Sequence, residues 1–305
     1  MGTESDPLTS LAEGTGAGIL VSGEVFLIGD SLQFHAEVTD AAGRRMLGSV
    51  QARGPRAIPM DGVEVLRQRV MGAVAPHVDP RIIGYAEVFH TPPTFEAYQE
   101  FIDGLAAFFR ADYQASIEHS RRAYQLDTTQ VSALLHVSQA HRNLGQRAQW
   151  DSILDLVNDR KDRLPPPDRH LLNYNLAQRE GDLEGVYRHC RAWAESAPGY
   201  GQALYAHAWA ALRINRPREA IEVLEGADPR SWGLQDWQSY WSILTAAYHS
   251  VGDHEGELRA AREGQRQYPG SVSRLGDELN ALAALGRTNE AREVLSEIEA
   301  ISRNG

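Results

Sequence analysis

Six short turn signals recur along this chain at nearly constant spacing. They are "RAD" at Ala111, "LGQ" at Gly145, "EGD" at Gly181, "INR" at Asn215, "VGD" at Gly252 and "LGR" at Gly286, separated by 34, 36, 34, 37 and 34 residues. Around the first of them, "FEAYQEFIDGLAAFFR" reads as one amphipathic helix, and Tyr113, Ile117, Ala123 and Leu126 supply the helical rhythm of a second. Two antiparallel helices joined by a tight turn cannot bury both faces alone. A fixed period therefore implies that successive hairpins stack on one another.

Five residues beyond each turn, where two helices cross closely, stand Ser116, Ala220 and Ala291, but also Trp150, Val186 and Glu257. Pro198 and Pro269, each followed by glycine, stop the second helix of their hairpins, and Thr128 fills the equivalent place in the first. The second helix of the fourth hairpin is cut short by "GADPRSWG". "RLPPPDRH" lengthens the connection between the second and third hairpins, where Pro165 to Pro167 favour an extended spacer.

A period of about 34 residues, "GD" at the turn, "EAI" at Glu219, Ala220 and Ile221, and Trp241, Leu244 and Tyr248 on a first helix resemble the tetratricopeptide repeat (TPR) over roughly residues 94 to 301. The resemblance implies a mostly α chain: a right-handed solenoid of about six helix-turn-helix repeats.

Ahead of the array the rhythm changes. "GILVSGEVFLIGD", "SLQFHAEVTDA" and "RRMLGSVQA" are rich in β-branched and aromatic residues and alternate most clearly at Leu32, Phe34, Ala36 and Val38. They read as a three-stranded antiparallel meander. A helix from about Met60 to Ala75 presents Val63, Leu66, Val70 and Val74 along one face to cover it, and a short helix precedes the strands at Leu8 to Gly14. The expected organisation is a small α+β domain at 1–80, a linker at 81–93 and the repeat array at 94–305.

This amino-terminal pattern, placed before such repeats, resembles the TolB-amino-terminal-like module. That pairing occurs in the C-terminal regions of bacterial transmembrane serine/threonine kinases and of some cyclase-type and transcriptional regulators. The first strand and helix of that module are missing before Leu8, so Met1 reads as a truncation point. The resemblance implies a bacterial signalling protein, with this part outside the cytoplasmic membrane if a transmembrane kinase precedes it and in the cytoplasm otherwise.

Composition excludes several functions. A net charge of −11 repels a phosphate backbone, and no basic cluster interleaved with aromatics offsets it, so nucleic acid is not an expected partner. No run of apolar residues is long enough to span a membrane, and "MGTESDPLTS" lacks the basic start of a secretory signal. The single cysteine, Cys190, permits neither an internal disulfide nor a cysteine-based zinc site.

Catalytic signatures are equally scarce. The glycines of "EGTGAGILV" precede a strand instead of opening a helix, so they do not form a dinucleotide loop, and the sequence holds no phosphate loop, "HExxH" or "GxSxG". His136 and His141 are five apart on diverging faces of one helix and His249 and His254 straddle the turn at Gly252, so neither pair has the four-residue spacing of a helical metal site, while His189 and Cys190 are adjacent and point apart. Asp253, Glu255 and Glu257 read as a solvated helix start. Neither an enzyme, a cofactor nor a metal is expected.

Function is therefore expected in the groove lined by the first helix of each hairpin. Counting from the turns places there Tyr98, Phe101, His136, Gln139, Arg142, Asn143, Asn175, Gln178, Arg179, Tyr205, Trp209, Arg213 and His249. Arg142, Arg179 and Arg213 fall at nearly equivalent positions beside aromatics, which fits an extended or acidic peptide. The same residues also read as solvated helix residues paired with nearby acids. The alternative function is a small-molecule or carbohydrate sensor whose closed pocket is built from Tyr205, Trp209 and the arginines. Trp232, Trp237, Tyr240 and Trp241 form a second aromatic cluster, in which Trp241 reads as core and Trp232 as a plug for the shortened fourth repeat.

Overall fold

The computed structural model describes residues 7–43, 45–82 and 92–304; most of the expected linker, 83–91, lies outside the described residues. The element order is α1 (Pro7–Thr15), β1 (Ile19–Ile28), β2 (Ser31–Asp40), β3 (Arg45–Pro55) and α2 (Pro59–Val78), followed by helices alone. Those are α3 (Phe95–Phe109), α4 (Tyr113–Leu126), α5 (Val131–Asn143), α6 (Arg147–Asn158), α7 (Pro166–Glu180), α8 (Leu183–Ser196), α9 (Gly201–Arg213), α10 (Pro217–Glu225), α11 (Ser239–Val251), α12 (His254–Gln267), α13 (Val272–Ala284) and α14 (Thr288–Asn304). The chain is mostly α: helical hairpins follow a small α+β module in sequence.

Each hairpin turns on one residue with left-handed backbone. These are Ala111, Gly145, Gly181, Asn215, Gly252 and Gly286, with φ between 61° and 78°. Where aspartate follows, at Asp112, Asp182 and Asp253, its carboxylate accepts a hydrogen bond from the backbone N–H three residues on and starts the second helix. The position five beyond the turn is buried at Ser116, Trp150, Val186, Ala220 and Glu257 whatever its size or charge. Pro166 and Pro167 open α7 instead of holding an extended spacer, because a helix's first turn needs no N–H from them.

The chain divides into two compact units: residues 1–108 with 112–168, and residues 109–111 with 169–305. In the first, the antiparallel sheet has the order β1-β2-β3. Phe34, Ala36 and Val38 of β2 are buried, and Leu66, Val70 and Val74 of α2 pack on the core of Ala36, Val38, Val50 and Ala73, while Val63 stays exposed. Val21, Val25 and Leu27 pair across from Val38, Phe34 and Leu32 on edge strand β1, and all three are exposed.

The α+β module is bound into this unit. Gly72 of α2 lies so close to Pro93 that an added Cβ would fall 1.9 Å from its carbonyl oxygen. Arg69 donates to the Pro92 carbonyl at 2.9 Å and to Asp127 Oδ2 at 2.6 Å. The first two hairpins, α3–α4 and α5–α6, complete the unit, and Val131 through His141 of α5 are buried.

The second unit holds α7 through α14. The nine-residue α10 is the short second helix expected from "GADPRSWG". In the following loop the Trp232 ring packs edge-on against Phe109 at 4.9 Å. Trp241 is buried, with its Nε1 donating to Gln267 Oε1 at 3.0 Å.

Candidate functional site

Tyr205, Trp209 and Arg213 are spaced four residues apart on α9 and therefore share one helix face. The helix is otherwise alanine-rich, and Ala203, Ala206, Ala208, Ala210 and Ala211 are buried. The Arg213 guanidinium lies 5.1 Å from the centre of the Trp209 ring, a cation–π contact. Trp209 meets Tyr174 of α7 edge-on at 6.2 Å, and Tyr205 meets Trp237 at 5.5 Å. Arg213 is exposed, while Tyr205, Trp209 and Arg179 are half-buried. The second unit thus presents an aromatic stripe ending in a fixed cation.

Other expected groove residues are interior. In the first unit the buried Tyr98 hydroxyl donates to Asp79 at 2.9 Å, and burial followed by that carboxylate raises its pKa. Phe101 and Phe108 flank His136 with ring centres 5.5 and 6.3 Å away. His136 is buried without a hydrogen-bond partner at either nitrogen, and burial lowers its pKa to about 4. Gln139 and Asn175 are also buried, and Asn175 donates to the Leu171 carbonyl at 2.7 Å. Arg142, half-buried in the last turn of α5, belongs to the first unit, whereas Arg179 and Arg213 end α7 and α9 in the second.

The sequence rhythm did not single out Tyr174 as a partner of Trp209 or Trp237 as a partner of Tyr205. Tyr174 is one position before Asn175, and Trp237 comes from the irregular loop before α11, whose register a helical count does not set.

His249 is exposed at the end of α11, where its Nδ1 lies 3.0 Å from Glu257 Oε2. His254 Nδ1 approaches the same oxygen at 2.9 Å. The acid expected to be solvated is buried, because it occupies the helix-crossing position of its hairpin. Five-residue spacing separates two side chains on one helix, but here Gly252 folds the chain back between them.

A cavity of about 890 Å³ lies beside α11 and α12, lined by Trp241 with charged residues that include Asp228, Arg230, Asp236, Glu263 and Arg266. It shares no residue with the Tyr205–Trp209–Arg213 stripe. None of the described helices is long and apolar enough to cross a membrane.

No protein-family model and no curated protein matches the chain. Similar solved structures include a chain of the APC/C hetero-tetramer Cut9–Hcn1, at 13% identity and a TM-score of 0.52, covering 79% of this chain and 44% of that one. The thermophilic TPR protein TTC0263 of Thermus thermophilus shows 16% identity and a TM-score of 0.44, covering 62% of this chain and 98% of that one. MamA protein shows 14% identity and a TM-score of 0.36, covering 68% and 92%. By its fold the chain is a helical-hairpin repeat protein.

Proposed function

We propose that the protein is a non-catalytic protein–protein interaction scaffold that receives an extended, carboxylate-bearing segment of a partner on the face of α9. The observation that supports this most is Arg213 held over Trp209. A guanidinium stacked on an aromatic ring is ordered before a ligand arrives, so less side-chain entropy is lost on binding a carboxylate. Tyr205 on the same face of α9, with Trp237 packed edge-on against it from the loop before α11, supplies an aromatic surface next to it, the type of anchor that dominates protein interfaces.

Arg179 adds a second cation within the same unit, and Arg142 is the corresponding residue of an earlier hairpin. The small α+β module at 1–80, the linker at 81–93 and the array at 94–305 are assigned here to a bacterial regulatory protein, with the module of TolB-amino-terminal-like type. That assignment is supported by the strand pattern and its position before the repeats.

Peptide-array binding by the full chain tests the site. Sequences rich in Asp and Glu, or ending in a free carboxylate, are expected to bind and to lose at least tenfold in affinity with Trp209→Ala or Arg213→Ala. Equal binding by wild type and both variants would remove the α9 face as the site.

The cavity beside α11 and α12 supports a second function, sensing a small polar or carbohydrate ligand, because its volume falls within the usual range for ligand pockets. Thermal shifts with sugars and charged metabolites, abolished by Arg266→Ala and retained in Arg213→Ala, are the expected signature.

A further inference from the structure

At three and two residues on either side of the hairpin turn, two side chains meet. In the first hairpin they are Phe108 and Tyr113, with ring centres 5.4 Å apart. In the fifth they are His249 and His254, with ring centres 5.2 Å apart. The fold brings this pair together in both cases, and in the fifth hairpin the pair carries ring nitrogens.

In the fifth hairpin the residue five beyond the turn also meets that pair. It is Glu257, whose side chain is only 4% exposed. Isolated burial of a carboxylate is costly, so it requires cationic or hydrogen-bonding partners. Those present are the two imidazoles, with both Nδ1 atoms within 3.0 Å of Oε2. One ligand atom from each of the three residues lies within 4.8 Å of the other two.

We infer that His249, His254 and Glu257 form a binding site for a divalent transition-metal ion of the zinc class. Two imidazole nitrogens and one carboxylate oxygen make a known three-ligand zinc set, and bonds of about 2.0–2.1 Å place ligand atoms of a tetrahedral site about 3.3 Å apart. The two nitrogen–oxygen separations already fall within that edge. Where an Nδ1 carries a proton it donates it to Glu257; the ion takes the place of that proton, which is released to solvent. Water would fill the fourth position, which the exposure of His249 allows.

The supporting backbone is fixed independently of any ion. Gly252 makes the left-handed turn, and the Asp253 carboxylate caps Gly256 N–H at 2.8 Å, which sets the first turn of α12. His254 and Glu257 then share a face at three-residue spacing. Of the nearby carboxylates, Asp277 is paired with Arg274 at 3.0 Å. Arg287, a cation from the turn before α14, pairs at 4.0 Å with Glu255. A bound ion would tie the end of α11 to the start of α12.

Isothermal titration of the full chain with Zn²⁺, paired with visible absorption on adding Co²⁺, tests the site. One equivalent should bind, with the intense cobalt bands of four-coordination, and affinity should fall at least tenfold in each of His249→Ala, His254→Ala and Glu257→Gln. His249 is exposed, so His249→Ala gives a usable result even if Glu257→Gln fails to fold. His189→Ala, which alters a histidine elsewhere, should leave the affinity unchanged. Absence of one-equivalent binding, or binding undiminished in His249→Ala, would overturn the inference.

Discussion

Arg69 on α2 and Asp127 at the end of α4 form a 2.6 Å ion pair that joins the α+β module to the first helical hairpin. Asp127 is nearly enclosed and also accepts from Thr94 N–H at 3.1 Å and Thr129 Oγ1 at 2.7 Å. Removing the guanidinium leaves a buried carboxylate with weaker compensation. Arg69→Ala should cost about 1–3 kcal/mol. Chemical denaturation of Arg69→Ala, Asp127→Asn and the double variant should give a non-additive cycle; additive losses would show that the pair contributes no coupling.

His136 predicts a pH dependence. Burial lowers its pKa to about 4, whereas in an unfolded chain histidine titrates near 6.5. Between those values the unfolded state holds the extra proton, so this contribution to stability is present above pH 6.5 and lost as pH falls toward 4. Its size is on the order of 3 kcal/mol. His136→Leu removes the titration along with two buried nitrogens that lack partners, and leaves an apolar side chain between Phe101 and Phe108. The variant should match or exceed wild-type stability at pH 7.5 and gain most at pH 5 in urea denaturation. An unchanged pH slope would show that His136 is not the group responsible.

The repeat was legible because each turn demands a residue that tolerates left-handed backbone, and the sequence marks those places with glycine, Asn215 or Ala111. The sheet was legible from the alternation in β2. Side-chain exposure was harder to read. Counting along the first helices puts Tyr205, Trp209 and Arg213 on one face, and the same count includes Tyr98, Phe101, His136, Gln139 and Asn175, which are buried. Position along a helix does not reveal how neighbouring helices enclose it. The His249–His254–Glu257 cluster was missed for a different reason: a spacing rule for one continuous helix was applied across a turn. The sequence signal is two histidines flanking "VGD" with a glutamate at the helix-crossing position.

Arg274 and Asp277 provide a test of burial against charge. Arg274 is 1% exposed and lies 3.0 Å from Asp277, and it donates to Ser242 Oγ and Ser273 Oγ. Burial lowers the arginine pKa and raises that of the aspartate, so each charge is held against a desolvation cost. Arg274→Met strands the carboxylate and should destabilise the second unit by about 3–5 kcal/mol. Adding Asp277→Asn should recover much of that loss. Thermal unfolding followed by circular dichroism separates this from a simple packing role, in which the second substitution would recover nothing.

The turns give a prediction about strain. Ala111 and Asn215 adopt φ of 61° and 62° where four other hairpins use glycine. A left-handed alanine costs about 1–2 kcal/mol because its Cβ crowds the following carbonyl oxygen, while asparagine tolerates the region better. Glycine removes that clash but gives back part of the gain through greater freedom in the unfolded chain. Ala111→Gly should therefore stabilise by about 0.5–1 kcal/mol, a net of those opposing terms. Asn215→Gly should change stability little, and Gly252→Ala, at φ 75°, should destabilise. Urea denaturation of the three variants would show this order if turn strain governs the hairpins. Loss of stability in Ala111→Gly would mean that the alanine methyl contributes more by contact than its backbone costs.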